Sequence, residues 1–328
     1  MATIKDVSKL AGVSVATVSR VLNRNGYVHE ETERKVLRAI QELNYTPNFV
    51  ARSLSNKKTS TIGLMVPDIT NPFFPELARA VEDVMQLYGY TTILGNSDDN
   101  PKKEKQYIDA LNQRYIDGFL LASTALTAEE LHALDVPVVV LDRAIASDTI
   151  PMVTSKNREG ARQATEFLLE QGCRKIAHLR GPMQLFNADE RCQGYLDAVE
   201  DMEWFHAGLI VPGNYDMRQA AKATLALLNE HPDIDGIFAG NDTMAIGALR
   251  AAQMLGIRVP DALSIVGYDG IAMGEVVYPE LTTMAQPVYD MGALAARMLI
   301  KMIEKQPLDK RYYELDVQLI KRGTTRKV

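Results

Sequence analysis

Residues Thr3–Asn23 read TIKDVSKLAGVSVATVSRVLN, and this stretch decides how the amino-terminal part of the chain folds. Thr3 followed three residues later by Asp6 makes a capping box, in which each side chain satisfies an amide that the first helical turn leaves open. The helix it opens carries Val7, Leu10 and Ala11 on its inner face. Gly12 then supplies the left-handed residue that stops the helix, a conformation other residues reach only with strain. Ser14 caps a second helix whose Val18, Val21 and Leu22 recur at helical spacing. Val15, Ala16, Thr17, Ser19, Arg20 and Asn23 are left outside. These are small or hydrogen-bonding groups with one guanidinium fork, the chemistry of a helix laid in a DNA major groove. Two short helices joined so tightly predict a helix-turn-helix.

Asn25-Gly26 marks a loop, and a third helix is expected from about Glu30 to Leu43 with Val36, Leu37, Ile40 and Leu43 inward. Pro47 ends that region. Residues 48–58 carry NFVARSLSN and two lysines, enough for one or two turns of helix that would need outside support to persist. The net charge of -6 conceals an asymmetry: residues 1–58 hold ten Lys/Arg against five Asp/Glu, and the remainder holds 26 against 37. A basic amino-terminal module on an acidic body is expected where one end alone meets phosphates. The organisation read here is a DNA-binding domain over 1–47, a linker over 48–58 and a core over 59–328.

From Thr61 onward strands and helices alternate. Strands are expected at 62–66, 91–95, 118–122, 136–141, 176–179, 209–211, 236–239 and 264–267. Helices are expected at 77–88, 102–114, 158–171, 189–201, 217–230 and 242–255. Val/Ile/Leu-rich strands alternating with helices imply parallel sheets covered on both faces. There are too many strands for one compact sheet, so two similar α/β lobes facing a cleft are expected. Ligands of such sheets bind beyond the carboxyl ends of strands. Those ends carry Asn71, Phe73 and Phe74; Asp142 and Arg143; Arg191; Tyr215; Asn241; Asp269; and Gln286. Carboxylates, guanidinium groups and amides beside aromatic rings suit a small polyhydroxylated molecule, whose hydroxyls each donate and accept and whose apolar faces the rings can cover.

The amino-terminal stretch resembles the headpiece of the LacI/GalR family of bacterial transcription regulators, and the similarity continues along the chain. The resemblance implies an all-α helix-turn-helix headpiece followed by a periplasmic-binding-protein-like α/β core of two parallel-sheet lobes, lobe 1 near 59–157 and 287–315 and lobe 2 near 158–286 and 316–328. It places Val15, Ala16 and Arg20 where relatives contact bases, and Thr17, Ser19 and Asn23 where they touch phosphate. Thr3, Ser14, Ala51 and Arg52 complete the DNA-facing set, and Leu54 matches a linker-helix leucine wedged into the minor groove. Asn71-Pro72-Phe73-Phe74, Asp142-Arg143, Arg191, Asn241-Asp242, Asp269 and Gln286 are similar to the pocket of periplasmic ribose-binding proteins. Tyr215 stands where those proteins carry Phe, adding a hydroxyl that needs a partner. Ribose or a closely related sugar is therefore the implied effector; the alternative is a regulator of the same family that responds to another pentose, a sugar phosphate, a purine or a phosphorylated carrier protein. A homodimer on a roughly palindromic operator is the implied assembly, with release on sugar binding the family expectation for catabolic sugars.

An enzyme is disfavoured. The sequence has no P-loop, G-x-G-x-x-G, G-x-S-x-G or H-E-x-x-H, and its five histidines lie scattered. Asp142 and Asp269 have Arg and amide neighbours that favour ionised binding groups over an acid/base pair. Cys173 and Cys192 form no metal-spaced motif, so no cofactor is expected. No apolar run approaches a membrane span and no secretory segment is read, so a cytoplasmic location is expected.

Overall fold

A computed structural model describes residues 2–23, 26–45, 59–122 and 126–326. The chain divides into two compact units, Met1–Thr59 and Ser60–Val328. The linker 48–58, with Ala51, Arg52 and Leu54, lies outside the described residues.

The first unit holds α1 (Ile4–Ala11), α2 (Val15–Asn23) and α3 (Glu30–Glu42). The capping box forms: the Thr3 amide donates to Asp6 Oδ2 at 2.8 Å and the Asp6 amide to Thr3 Oγ1 at 3.4 Å. Gly12 ends α1 at φ +67°, and the Thr17 amide donates to Ser14 Oγ at 3.1 Å to open α2. Val7, Val18, Val21, Val36 and Ala39 form the core. Leu10 and Leu37 correct the sequence reading, being 49% and 48% exposed. Leu37 lies about 100° around the helix from the Val36–Ala39 stripe, and the small Ala39 takes the inward place expected of a larger side chain. Leu10 instead borders an open groove with Gly12, Lys35, Arg38 and Glu42.

The second unit contains two six-stranded sheets. The first orders β2 (Thr91–Asn96), β1 (Thr61–Val66), β3 (Gly118–Leu121), β4 (Val138–Leu141), β5 (Met152–Ser155) and β11 (Tyr312–Leu315), all parallel. The second orders β7 (Ile210–Pro212), β6 (Ile176–Arg180), β8 (Gly236–Ala239), β9 (Ser264–Asp269), β10 (Thr282–Ala285) and β12 (Gln318–Ile320), with β12 alone antiparallel. Inner strands such as β3, β4 and β8 are buried at every residue, as helices on both faces of a parallel sheet require.

The first lobe carries α4 (Phe73–Leu87), α5 (Pro101–Asn112), the short α6 (Ala128–His132) and α12 (Val288–Ile303). The second carries α7 (Asn157–Glu170), α8 (Phe186–Val199), α9 (Met217–Glu230), α10 (Asp242–Met254) and α11 (Met273–Val276). The chain crosses between lobes three times, after β5, after β10 and after β11. The strand–helix alternation does not predict β5, α12, β11 or β12. β5 is four residues, half of them polar, and α12 is apolar around most of its circumference because it lies against α4 and the first sheet. The helices α4 and α8 also begin earlier than expected, at Phe73 and Phe186, which brings Phe73 and Asn187 onto helical first turns.

The second lobe encloses His178 of β6, which is fully buried and stacked between Tyr195 of α8 (ring centroids 5.2 Å) and Phe238 of β8 (4.9 Å). Its Nδ1 donates to the Phe238 carbonyl at 3.0 Å and Nε2 has no partner. Burial, with the positive charges of Arg180 and Arg191 adding to it, pushes the imidazole down to about 3. The unfolded chain therefore binds a proton between about pH 6.5 and 3 that the folded chain refuses. His178 stability is complete above pH 6.5 and is lost as pH falls below it. Wild type should lose about 1 kcal/mol per pH unit more than His178→Phe between pH 6.5 and 5. Urea midpoints for both proteins across that range check it; parallel curves would refute the neutral buried imidazole.

Candidate functional site

On the headpiece, α2 presents Val15, Ala16 and Arg20 exposed, with Thr17 and Ser19 half-buried beside them. The Ser14 and Thr17 hydroxyls pair at 2.9 Å, and the Thr3 hydroxyl donates to Asp6 Oδ2 at 2.7 Å. Thr3 and Ser14 thus serve the helix caps, which leaves Arg20 as the long polar side chain of this face. The Asn23 side chain lies outside the described residues.

In the second unit, the residues expected after each strand converge on one cavity of about 120 Å³ between the lobes. Asn71, Phe73, Phe74, Asp142 and Arg143 line it from the first lobe, and Arg191, Tyr215, Asn241 and Asp269 from the second. Gln286 lines it from the second crossover. Phe73 and Phe74 meet edge to face, with centroids 5.1 Å apart at 85°. Asn71 Oδ1 accepts from the Phe73 amide at 3.2 Å and Asn241 Oδ1 from the Met244 amide at 2.9 Å. Asn241 therefore caps α10 and Asn71 closes the turn ahead of α4, each with its side-chain carbonyl, which leaves the amide donors for the cavity.

Asp142 and Arg143 are 3% and 4% exposed. Asp142 Oδ2 accepts from Asn187 Nδ2 at 2.9 Å, whereas Oδ1 and Arg143 Nε have no partner. Arg143 pairs with Asp99. Arg191 Nε donates to Asn157 Oδ1 at 2.8 Å, and Nη1 donates to the Gly240 carbonyl at 2.6 Å and to Asp269 Oδ1 at 3.2 Å. Its guanidinium lies 3.9 Å from the centroid of the Tyr268 ring. Asp269 adopts φ +111°, a conformation rare outside glycine, at the turn where β9 ends.

Burial dominates both carboxylates, against the sequence expectation. It raises Asp142, although Arg191 and Arg143 oppose it. It raises Asp269 to about 6, with Arg191 opposing and Asp142 adding to the rise. Asp269 nonetheless stays mainly ionised at neutral pH.

Asn187 is the residue the sequence analysis misses: with this helix expected from 189, Asn187 falls in the preceding loop, whereas α8 begins at Phe186 and carries Asn187 on its first turn, one turn before Arg191. It is 3% exposed and joins Asp142 of one lobe to Tyr215 of the other, accepting from the Tyr215 hydroxyl at 3.4 Å. That bond supplies the partner the extra hydroxyl needs. A Cβ at Gly181 would come 2.5 Å from the Tyr215 ring, so only glycine admits the ring there. Asp68, Asp99, Asn214 and Asp216 also border the cavity. Asp242 lies outside the lining: its carboxylate accepts from the Gly270 and Ile271 amides, each at 2.8 Å, and from Thr283 Oγ1 at 2.6 Å. It holds the loop that carries Asp269. Among the described residues no group of three or more His, Cys, Asp or Glu could hold a metal ion, and no helix is long and apolar enough to cross a membrane.

A basic helix-turn-helix unit and a two-lobed core with a polar cleft define a DNA-binding regulator with a small-ligand domain. Residues 3–48 match the bacterial regulatory proteins of the lacI family, and residues 59–322 match the periplasmic binding proteins and sugar binding domain of the LacI family. The chain belongs to the LacI family. It is 53% identical to the ribose operon repressor of Halalkalibacterium halodurans over 99% of this chain and 98% of that one. Among solved structures, the Lac repressor dimer bound to operator and the anti-inducer ONPF superposes with a TM-score of 0.87 at 28% identity, covering 99% of both chains. A LacI family regulator from Enterococcus faecium with bound ribose gives 0.73 at 32% identity, covering 81% of this chain and 98% of that one.

Proposed function

We propose that this chain is a transcriptional repressor whose operator affinity is set by ribose held between the lobes. The observation that carries the reading is the buried Asp142 Oδ1, unpartnered at the edge of a cavity rich in carboxylates and amides. A buried acceptor without a donor is unfavourable by about 1–3 kcal/mol, which a sugar hydroxyl would relieve. A cavity of this volume suits a small ligand rather than a large one. Asn71, Asp142, Arg143, Arg191, Asn241, Asp269 and Gln286 hydrogen-bond the hydroxyls, and Phe73, Phe74 and Tyr215 cover the ring. Five carboxylates, Asp68, Asp99, Asp142, Asp216 and Asp269, line the site against two guanidinium groups, each already paired with a carboxylate. That balance favours a neutral sugar over a phosphate ester. On the DNA, Arg20 reads base edges while Val15 and Ala16 make apolar contact; Thr17, Ser19 and Asn23 meet phosphates. Two copies pair so that their headpieces meet a roughly palindromic operator.

Calorimetric titration with ribose, ribose 5-phosphate and purine bases tests the ligand. Ribose should bind, and the phosphate ester should bind at least about tenfold more weakly. Asp142→Asn should weaken ribose by about one to two decades, and wild-type affinity should fall as pH drops through about 6, where Asp269 takes up a proton. A purine that binds more tightly than ribose would overturn this reading.

A further inference from the structure

Five residues, each no more than 7% exposed, form a closed ring of hydrogen bonds at the base of the cleft, four through side chains alone and Ser155 through both its hydroxyl and its carbonyl. Arg191 Nε donates to Asn157 Oδ1 at 2.8 Å, and Asn157 Nδ2 donates to the Ser155 carbonyl at 3.0 Å. Ser155 Oγ donates to Gln286 Oε1 at 2.6 Å, Gln286 Nε2 donates to Asp269 Oδ1 at 2.8 Å, and Asp269 closes the ring on Arg191 Nη1 at 3.2 Å. Arg191, Asp269 and Gln286 line the cavity; Ser155 and Asn157 do not.

The position of those two residues gives the ring its meaning. Ser155 is the last residue of β5 in one lobe, Asn157 is the first of α7 in the other, and Gln286 follows β10 at the second crossover. The third crossover is pinned to the first by the Lys156 amide, which donates to the Leu315 carbonyl at 2.9 Å. Two further bonds reach the opposite wall of the site: Thr154 Oγ1 donates to the Asp142 carbonyl at 3.1 Å and accepts from Asn157 Nδ2 at 3.4 Å. Any rotation of one lobe against the other must turn the backbone at these crossovers and so strain or break the ring. A buried polar group that loses its partner is costly, so the ring favours one lobe angle over its neighbours.

We propose that Ser155 and Asn157 are positioning residues that convert occupancy of the cleft into a defined lobe angle, without touching the ligand. A ligand shifts such an equilibrium only by binding its states unequally. The ring makes the geometry of Arg191, Asp269 and Gln286 differ between lobe angles. Ser155→Ala removes the donor to Gln286. Asn157→Asp keeps an acceptor for Arg191 but removes the donor to the Ser155 carbonyl, so each variant opens the ring at a different bond.

The first readout uses no ligand. Spin labels at Lys102→Cys on α5 and Arg218→Cys on α9, both exposed positions, report the distance between lobes in the full chain. The intact ring should give one narrow distance distribution, and each ring variant a distribution at least about twice as broad. The second readout is the ratio of operator affinities without and with saturating ribose, which should shrink at least about fivefold in both variants. Loss of packing alone would lower the thermal midpoint and leave width and ratio unchanged. Variants that keep the wild-type width and ratio overturn the proposal. The second readout rests on ribose as effector: a wild-type protein deaf to ribose would refute that reading, and the distance measurement would then decide this one.

Discussion

Removing residues 1–58 is expected to abolish operator binding, a loss of more than about 10³-fold in affinity, while ribose binding stays at its full-length value. The removed segment carries ten Lys/Arg against five Asp/Glu, and the remainder carries 26 against 37. The remainder would therefore repel a phosphate backbone rather than hold it. The boundary falls where the chain divides into two compact units, and every residue lining the cleft lies in the second. Because phosphate contacts release counterions, operator affinity of the full chain should also fall steeply as salt is raised. Fluorescence anisotropy on a duplex selected by the full-length protein, at two salt concentrations, measures the first expectation; calorimetry with ribose measures the second. Operator affinity that survives the deletion would remove the assignment of the headpiece.

Replacement of Arg191 should yield a repressor that no longer responds to ribose. The guanidinium, 2% exposed, already holds Asn157, the Gly240 carbonyl and Asp269 and lies over Tyr268. Arg191→Ala therefore does two things at once. It removes a charge-assisted donor from the sugar site, at about 1.5–3 kcal/mol or one to two decades in affinity. It also leaves Asp269 as a buried carboxylate without its cation, which lowers stability by about 3–5 kcal/mol. Arg191→Lys separates the effects: it retains a positive charge near Asp269 but not the planar fork, so more stability should survive than ribose affinity. Coupling is reciprocal, so whatever factor ribose imposes on operator binding must reappear in ribose binding when operator is present. The experiment is operator titration with and without saturating ribose, beside thermal unfolding, for wild type and both variants. A Lys variant that responds at the wild-type ribose concentration would show that the fork does not contact the sugar.

The amino-terminal helices were legible because their determinants are local. Thr3, Asp6, Gly12 and Ser14 act within a few residues of themselves, so their spacing is enough to read the caps and the turn. The buried strands were legible for a similar reason: runs such as Val138–Leu141 are apolar at every position, which suits a sheet covered on both faces. The strand-end rule brought Asn71, Asp142, Asn241, Asp269 and Gln286 to one cleft without any coordinates, because parallel topology sends those ends to one side, and all five line the cavity. Only the tertiary structure decided which acceptors stay unsatisfied, how far burial outweighs neighbouring charges at Asp142 and Asp269, and that Asn187 spans the lobes. It also decided that Leu10 and Leu37 face outward. These depend on partners as distant in sequence as Ser155 and Gln286, 131 residues apart. Spacing along the chain encodes what one helix or strand does with its own groups, whereas desolvation and long-range pairing exist only once the lobes have closed around them.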